Sequence, residues 1–281
     1  MHAHHAFRLA GVMGWPIAHS RSPKIHNHWL ALHGIEGVYV PLAIRPGELE
    51  AALRALAPLG FAGCNLTIPH KEAALAIVDR LDPAAERIGA VNCVVVDAEG
   101  ALVGHNYDGF GFIAALRAGA PQWRAEAAPS VIIGAGGGAR AVVAGLIDAG
   151  APKILVFNRS DERAQALAAH FGGPVEAGKW AERNGALEGA GLLVNTTSQG
   201  MIGQPPLDIS LAALPGTAVV SDIVYAPLET PLLADARRRG NIAVDGLGML
   251  LHQARPAFRD WFGVMPEATS ALRDLIAATL E

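Results

Sequence analysis

The residues best equipped for chemistry fall into two groups. The first holds Lys71 in GCNLTIPHK and Asp108 in HNYDG. A lysine paired with a carboxylate can serve as acid and base, the carboxylate orienting the ammonium while both bond to a hydroxyl-bearing ring. A negative partner favours the charged lysine and desolvation the neutral one, so sequence alone leaves its protonation open. A surface lysine at a helix start is the plain alternative. Ser20 and Ser22 in PIAHSRSPKIHN, Asn65, Thr67 and Asn92 add polar groups at strand ends. The second group is VIIGAGGGARAVV, in which Gly134, Gly136 and Ala139 fit G-x-G-x-x-A between a strand and the opening of a helix. Gly134 permits a tight turn, Gly136 lets the backbone approach a pyrophosphate, and Ala139 allows close helix packing. Orphan N–H groups and the helix dipole favour the ligand's charge. Together the groups suit hydride transfer from a dinucleotide, with a proton supplied by a side chain.

The stretch LVFNRS decides which dinucleotide. A carboxylate at this strand end would accept bonds from two ribose hydroxyls and repel a 2′ phosphate. Here Asn158 and Arg159 are donors, and Arg163, four residues on, adds a second charge on the same helical face. A planar guanidinium suits a phosphate, and Ser160 has a hydroxyl to donate. The expected cofactor is NADP; the alternative is that both arginines are ordinary solvated charges.

Other reactive side chains point to less. His19, His26, His28 and His70 match no usual ligand triplet, and His26 and His28 would face different sides of a helix. His2, His4 and His5 lack an acidic or thiol partner, so no metal is expected. His70 and His105 remain alternative acids. Cys64 and Cys93 form no CxxC pair and read as buried apolar residues.

The elements positioning these groups alternate. RLAGVMG, GVYVPLAI, AGCNLTIP and VNCVVVD read as strands, and helices are expected over Pro23–His33, Gly47–Ala57 and Lys71–Asp79. After a helix at DGFGFIAALRAG and the loop APQWRAEAAPS, strands are expected at VII, KILVFN, GLLVNTT and AVVSDIVY. PLLADARRRG reads as a helix before NIAVDG. A last helix, Leu247 to about Phe262, spaces Leu250, Leu251, Ala254, Phe258, Trp261 and Phe262 at helical intervals and would return to cover the first domain. The fold class is α/β in two domains with mostly parallel sheet, the second of Rossmann type. Expected boundaries are 1–107 together with 246–281, and 108–245.

Composition agrees with a metabolite enzyme. The chain has 281 residues, 51% of them apolar, and a net charge of -4 from 22 basic and 26 acidic residues. That balance offers no general attraction for nucleic acid. Without a signal-like or spanning apolar run, a soluble cytoplasmic protein is expected.

The pieces PIAHSRSPKIHN, GCNLTIPHKEAA, GAVN, HNYDGFG, GAGGGARA, NRSDERAQALA, NTTSQGM, DIVYAPLETPLL and DGLGMLLHQARPAF, in this order over nearly the whole chain, resemble the shikimate dehydrogenase family. The resemblance implies reversible reduction of 3-dehydroshikimate to shikimate with NADPH, a step of aromatic amino acid synthesis. It implies a catalytic pair at Lys71 and Asp108. Ser20 and Ser22, helped by Tyr225, would bind the substrate carboxylate, and Thr67, Asn92 and Gln253 the ring hydroxyls. The cofactor would meet Gly134, Ala135, Gly136, Gly137, Gly138 and Ala139, then Asn158, Arg159, Ser160 and Arg163. Thr196 and Thr197 would line its cleft, with Ile223, Gly246 and Met249 toward the nicotinamide. The N-terminal domain, completed by the last helix, would bind substrate and the Rossmann domain NADP. Tyr107 departs from the threonine common in the family, and its larger ring is expected to narrow or reshape the pocket. Cys64 and Cys93 replace common alanine and threonine. A relative that oxidises quinate as well as shikimate, with NAD or both cofactors, is the nearest alternative; such relatives tend to place an acidic residue directly after NR, whereas Asp161 comes one position later. A ligand-sensing protein without turnover is the remote one. Monomer and homodimer both suit the fold.

Overall fold

The computed structural model describes residues 7–280. His2, His4 and His5 lie outside the described residues. Two compact units emerge: one holds the chain up to Tyr107 together with Gln253–Ile276, the other Asp108–His252 together with the end of the chain from Ala277.

In the first unit, β1 (Arg8–Gly14), α1 (Ser22–Leu32), β2 (Gly37–Ala43), α2 (Leu49–Arg54) and β3 (Phe61–Leu66) form a β-α-β-α-β run. There follow β4 (Arg80–Leu81), α3 (Pro83–Ile88), β5 (Cys93–Val96) and β6 (Leu102–His105). The sheet order is β2-β1-β3-β5-β6-β4. It is mostly parallel, with β5 antiparallel to both β3 and β6. Pro41 is tolerated in β2 because that strand lies on the sheet edge.

The helix expected over Lys71–Asp79 does not form; only a 3₁₀ turn at Ala73–Ala76 does. Tertiary pairing takes its backbone instead. The Lys71 carbonyl accepts from Val91 N at 2.8 Å, and Asp79 N donates to Leu102 O at 2.9 Å.

The second unit opens with α4 (Asp108–Gly119), β7 (Ser130–Ile133), α5 (Gly137–Asp148), β8 (Ile154–Phe157), α6 (Asp161–Phe171) and β9 (Val175–Ala177). It continues with β10 (Leu192–Asn195), β11 (Val219–Asp222), α7 (Pro231–Arg238) and β12 (Ile242–Val244). Its sheet is parallel throughout, in the order β12-β11-β10-β7-β8-β9. The order reverses between β7 and β10, which is where a doubly wound sheet opens its ligand crevice. Every residue of β7, β10 and β11 is buried, as a sheet covered on both faces requires.

Helix α8 (Gly246–Phe262) contains the boundary between the units, and α9 (Ser270–Ala277) follows it. Its second half closes the first unit's core. Phe258 and Trp261 join Trp29, Tyr39 and His26 in an aromatic cluster. Each indole N–H is satisfied, Trp29 by Glu267 O and Trp261 by Val94 O, both at 3.1 Å.

Candidate active site

In the first unit the polar residues at the strand ends form one continuous chain of hydrogen bonds. The Tyr39 hydroxyl donates to Asn65 Oδ1 at 2.7 Å. Asn65 Nδ2 donates to Asn92 O at 3.0 Å, and Asn92 Nδ2 donates to Gln253 Oε1 at 3.4 Å. Burial pushes the Tyr39 phenol well up, so it remains a donor. Ser20 Oγ accepts from Ser22 N at 3.3 Å. Thr67, half-buried, is anchored by its amide to Met13 O at 3.0 Å. The structure thus links Asn92 and Gln253 to Tyr39 through Asn65, and joins Ser20 to Ser22 separately. Asn65 is among the strand-end polar groups evident in the sequence, closing the apolar strand FAGCNL, whereas nothing in the sequence singles out Tyr39.

Two further bonds surround Asn92. Lys71 is bonded through its carbonyl to Val91, the residue before Asn92. Tyr107 N donates to Asn92 Oδ1 at 2.9 Å, and Asp108 is the next residue. The alternative acids are engaged elsewhere: His70 Nε2 lies 2.8 Å from Ile44 O, and His105 Nδ1 lies 2.8 Å from Asp82 Oδ2. His26 is stacked on Tyr39 with centroids 4.1 Å apart, and burial pushes its pKa down to about 3. Cys64 and Cys93 are free and buried, with thiol pKa values raised by that burial, which makes both inert. The Tyr107 hydroxyl donates to Asp260 on α8.

In the second unit the glycine turn links β7 to α5. Gly134 has φ +114, and a Cβ there would stand 2.5 Å from Thr196 Oγ1. Its amide donates to Phe157 O at 2.7 Å. At Gly136 and Gly137 a Cβ would meet nothing within 4 Å, and no side chain caps the helix at Gly136. The other two long helices of this region that begin after a strand, α6 and α7, are capped by Ser160 and Thr230. An open cradle of uncapped amides at the switch point fits a dinucleotide pyrophosphate. Ala135 and Gly138 complete the turn, and Ala139 is fully buried beneath it.

At the end of β8, Arg159 and Arg163 are exposed, and Asn158 Nδ2 donates to Ser160 O at 3.0 Å. Ser160 caps α6, and its hydroxyl donates to Glu162 at 2.7 Å. Asp161 accepts from Trp180 N at 3.2 Å, which commits that carboxylate to the fold.

The loops after β10 and β11 are tied to one buried carboxylate. Asp222 Oδ1 accepts from Asn195 Nδ2 and Val224 N, each at 3.0 Å, and Oδ2 accepts from Thr230 at 2.8 Å. Asn195 Oδ1 in turn accepts from Thr197 N and Oγ1, while Thr196 Oγ1 donates to Ile133 O at 2.8 Å. Ile223, Tyr225, Gly246 and Met249 follow from the same frame, since Gly246 N donates to Val224 O at 3.1 Å. A Cβ on Gly246 would stand 2.2 Å from Ile223 O, so only glycine fits.

Desolvation raises the Asp222 pKa from 3.8 to about 6, against the pull of its three hydrogen bonds. A carboxyl that binds its proton more tightly when folded adds stability at low pH. That stability is lost as pH rises through the folded pKa. Wild type should therefore lose about 2 kcal/mol between pH 4.5 and 7.5 relative to Asp222→Asn, which has no proton to release. Urea unfolding of both proteins across this range measures it; parallel curves would refute it.

A doubly wound sheet with an open glycine turn at its switch point, in one chain with an α/β unit bearing a buried amide and hydroxyl network, defines a dinucleotide-dependent oxidoreductase. The chain matches the Shikimate dehydrogenase substrate binding domain over residues 12–94 and Shikimate / quinate 5-dehydrogenase over residues 120–203. It belongs to the shikimate dehydrogenase family. It is 58% identical over 269 residues to the shikimate dehydrogenase (NADP(+)) of Paramagnetospirillum magneticum, covering 96% of this chain and 98% of that one. The shikimate 5-dehydrogenase of Thermus thermophilus, solved with NADP(H) and shikimate, matches with TM-score 0.87 and 37% identity, covering 98% of this chain and 100% of that one. The quinate dehydrogenase of Corynebacterium glutamicum, solved with NAD, matches with TM-score 0.90 and 33% identity, covering 97% and 99%.

Proposed function

We infer that this protein reversibly reduces 3-dehydroshikimate to shikimate with NADPH. Its family membership across nearly the whole chain supports the reaction, and the polar chain through Tyr39, Asn65, Asn92 and Gln253 is the structural observation that carries it. Such a run of hydroxyl and amide groups suits a small ring with several hydroxyls, because each substrate oxygen removed from water needs a replacement partner.

Bound NADPH supplies the hydride. The chain supplies position and the proton. Lys71 holds the proton on Nζ and passes it to the ring oxygen as negative charge develops there. Asp108 orients that ammonium and accepts from a neighbouring ring hydroxyl. Ser20 and Ser22, with Tyr225, donate to the substrate carboxylate; Thr67, Asn92 and Gln253 hold the ring hydroxyls. The unit containing Ser20 through Asn92, with Gln253, is the substrate domain, and the unit containing the glycine turn is the NADP domain. Gly134 through Ala139 take the pyrophosphate, Thr196, Thr197, Ile223, Gly246 and Met249 line the rest of the cofactor's path, and Arg159 and Arg163 with Asn158 hold the 2′ phosphate. Ser160 acts by capping α6, since its hydroxyl proton is given to Glu162. Among the described residues no helix is long and apolar enough to cross a membrane.

The similarity to a quinate dehydrogenase solved with NAD makes one alternative concrete. Exposed arginines at the end of β8, with Asp161 committed to Trp180, favour NADP. A steady-state assay of shikimate and quinate, each with NADP and NAD, separates the readings. The expected result is kcat/KM for shikimate with NADP at least about tenfold above every other pair. Comparable turnover with quinate or NAD would place the protein among the dual-substrate enzymes instead.

A further inference from the structure

Tyr107 stands where a smaller residue would suffice for the backbone bond to Asn92, and its side chain does something a threonine cannot. The hydroxyl donates to Asp260 Oδ2, while Asp260 Oδ1 is held by Arg259 Nε and Nη2 at 2.9 and 2.7 Å. Asp260 lies seven residues after Gln253 on α8, two helical turns along the same face. The ring is stacked on His105 with centroids 5.6 Å apart and planes at 14°, and His105 is itself fixed by Asp82. Burial, reinforced by the nearby Cys93 and Asp260, pushes the phenol pKa up, so Tyr107 is a permanent donor.

One residue is therefore bonded twice. Its amide holds the side chain of Asn92, and its hydroxyl holds the helix that carries Gln253. Asn92 and Gln253 also meet each other, at 3.4 Å, a contact too long to set their spacing by itself. We propose that Tyr107 is a positioning residue that fixes the separation of Asn92 and Gln253, and through it the affinity for the substrate's ring hydroxyls. The proposal rests on the reading that these two side chains hold those hydroxyls. Tyr107 touches neither substrate nor cofactor in this role; it acts through the groups it braces. A threonine hydroxyl, attached directly to Cβ, falls short of a carboxylate that a phenol reaches.

The test compares wild type, Tyr107→Phe, Asp260→Ala and the double variant. Tyr107→Phe keeps the ring and its stacking, and leaves Asp260 paired with Arg259. Loss of a hydrogen bond to a charged group should raise KM for shikimate about tenfold in each single variant, while KM for NADP stays within about twofold. The double variant should be no worse than the poorer single one, because both remove the same bond. The ratio of shikimate to quinate kcat/KM should fall in step. A purely structural role would instead lower the melting temperature and move both KM values together, and that result overturns the proposal. So would an unchanged shikimate KM in Tyr107→Phe, or additive effects in the double variant. If Asp260→Ala fails to fold, Tyr107→Phe decides alone, with shikimate affinity read by equilibrium dialysis against the NADP-bound protein. Wild type inactive on shikimate would remove the underlying reading and this inference with it. Active wild type with an indifferent Tyr107→Phe would remove only the inference.

Discussion

Lys71→Met lowers kcat for shikimate oxidation by about a thousandfold and leaves KM within a few-fold, since a positioned acid or base contributes on the order of 10²–10⁴ in rate. Methionine keeps the length and the apolar stem of lysine but carries no proton. The effect is large because the two histidines nearest in the sequence motifs are engaged elsewhere. His70 is buried against Ile44 O, and His105 is committed to Asp82. Lys71 also leads a segment whose backbone is held by β5's approach through Val91, so the substitution leaves the surrounding bonds in place. Steady-state kinetics in both directions measure the outcome, with Asp108→Asn as a companion expected to fall by a similar factor. A loss of less than about tenfold for Lys71→Met would take the proton from this lysine and give it to another group.

Arg159→Gln raises KM for NADP by about 10- to 100-fold and hardly changes that for NAD, because a charge-assisted bond to a phosphate contributes roughly 1.5–3 kcal/mol. Glutamine keeps a neutral donor on a shorter stem, so the change removes the charge and the planar fork. The arginine is exposed, and the loss should shrink as salt is added, while wild-type affinity for NADP itself weakens. Arg163→Gln should repeat the effect more weakly, and the double variant should prefer neither cofactor strongly. Titration of each variant with NADP and NAD at two ionic strengths reads all of this. Equal losses for the two cofactors would mean that Arg159 grips a part common to both, and the argument from the end of β8 would fail.

Much of this protein is legible from local pattern. Hydrophobic strands such as VII and LLVN, the glycine turn between β7 and α5, and the proline-started α1 and α7 each declare themselves within about ten residues, because backbone geometry and burial on both sheet faces constrain them locally. The same holds for the donors Asn158 and Arg159, which are read from residue types at the end of one strand. Lys71–Asp79 departs from its local pattern for the opposite reason. Its alanines favour a helix, but Lys71 and Asp79 give their backbone groups to Val91 and Leu102, residues about twenty positions away. Short β4 and β6 are not legible in the sequence because what makes them strands is their partner, not their composition.

The sequence by itself determined the two α/β units, the dinucleotide turn, the arginines that follow β8 and the set of polar side chains available for chemistry. Only the tertiary structure decided how those side chains are used. Ser160 became a helix cap, Asp161 a partner for Trp180, Asp222 the anchor of two loops, and Tyr107 a donor to Asp260. The physical reason is that a hydrogen bond is satisfied by whichever group lies within reach at the right angle, and reach is set by the packing of segments far apart in the chain. Burial adds the second half of the answer: it shifts a carboxyl or a phenol only after the surrounding core has closed, and no local pattern of residues records that closure.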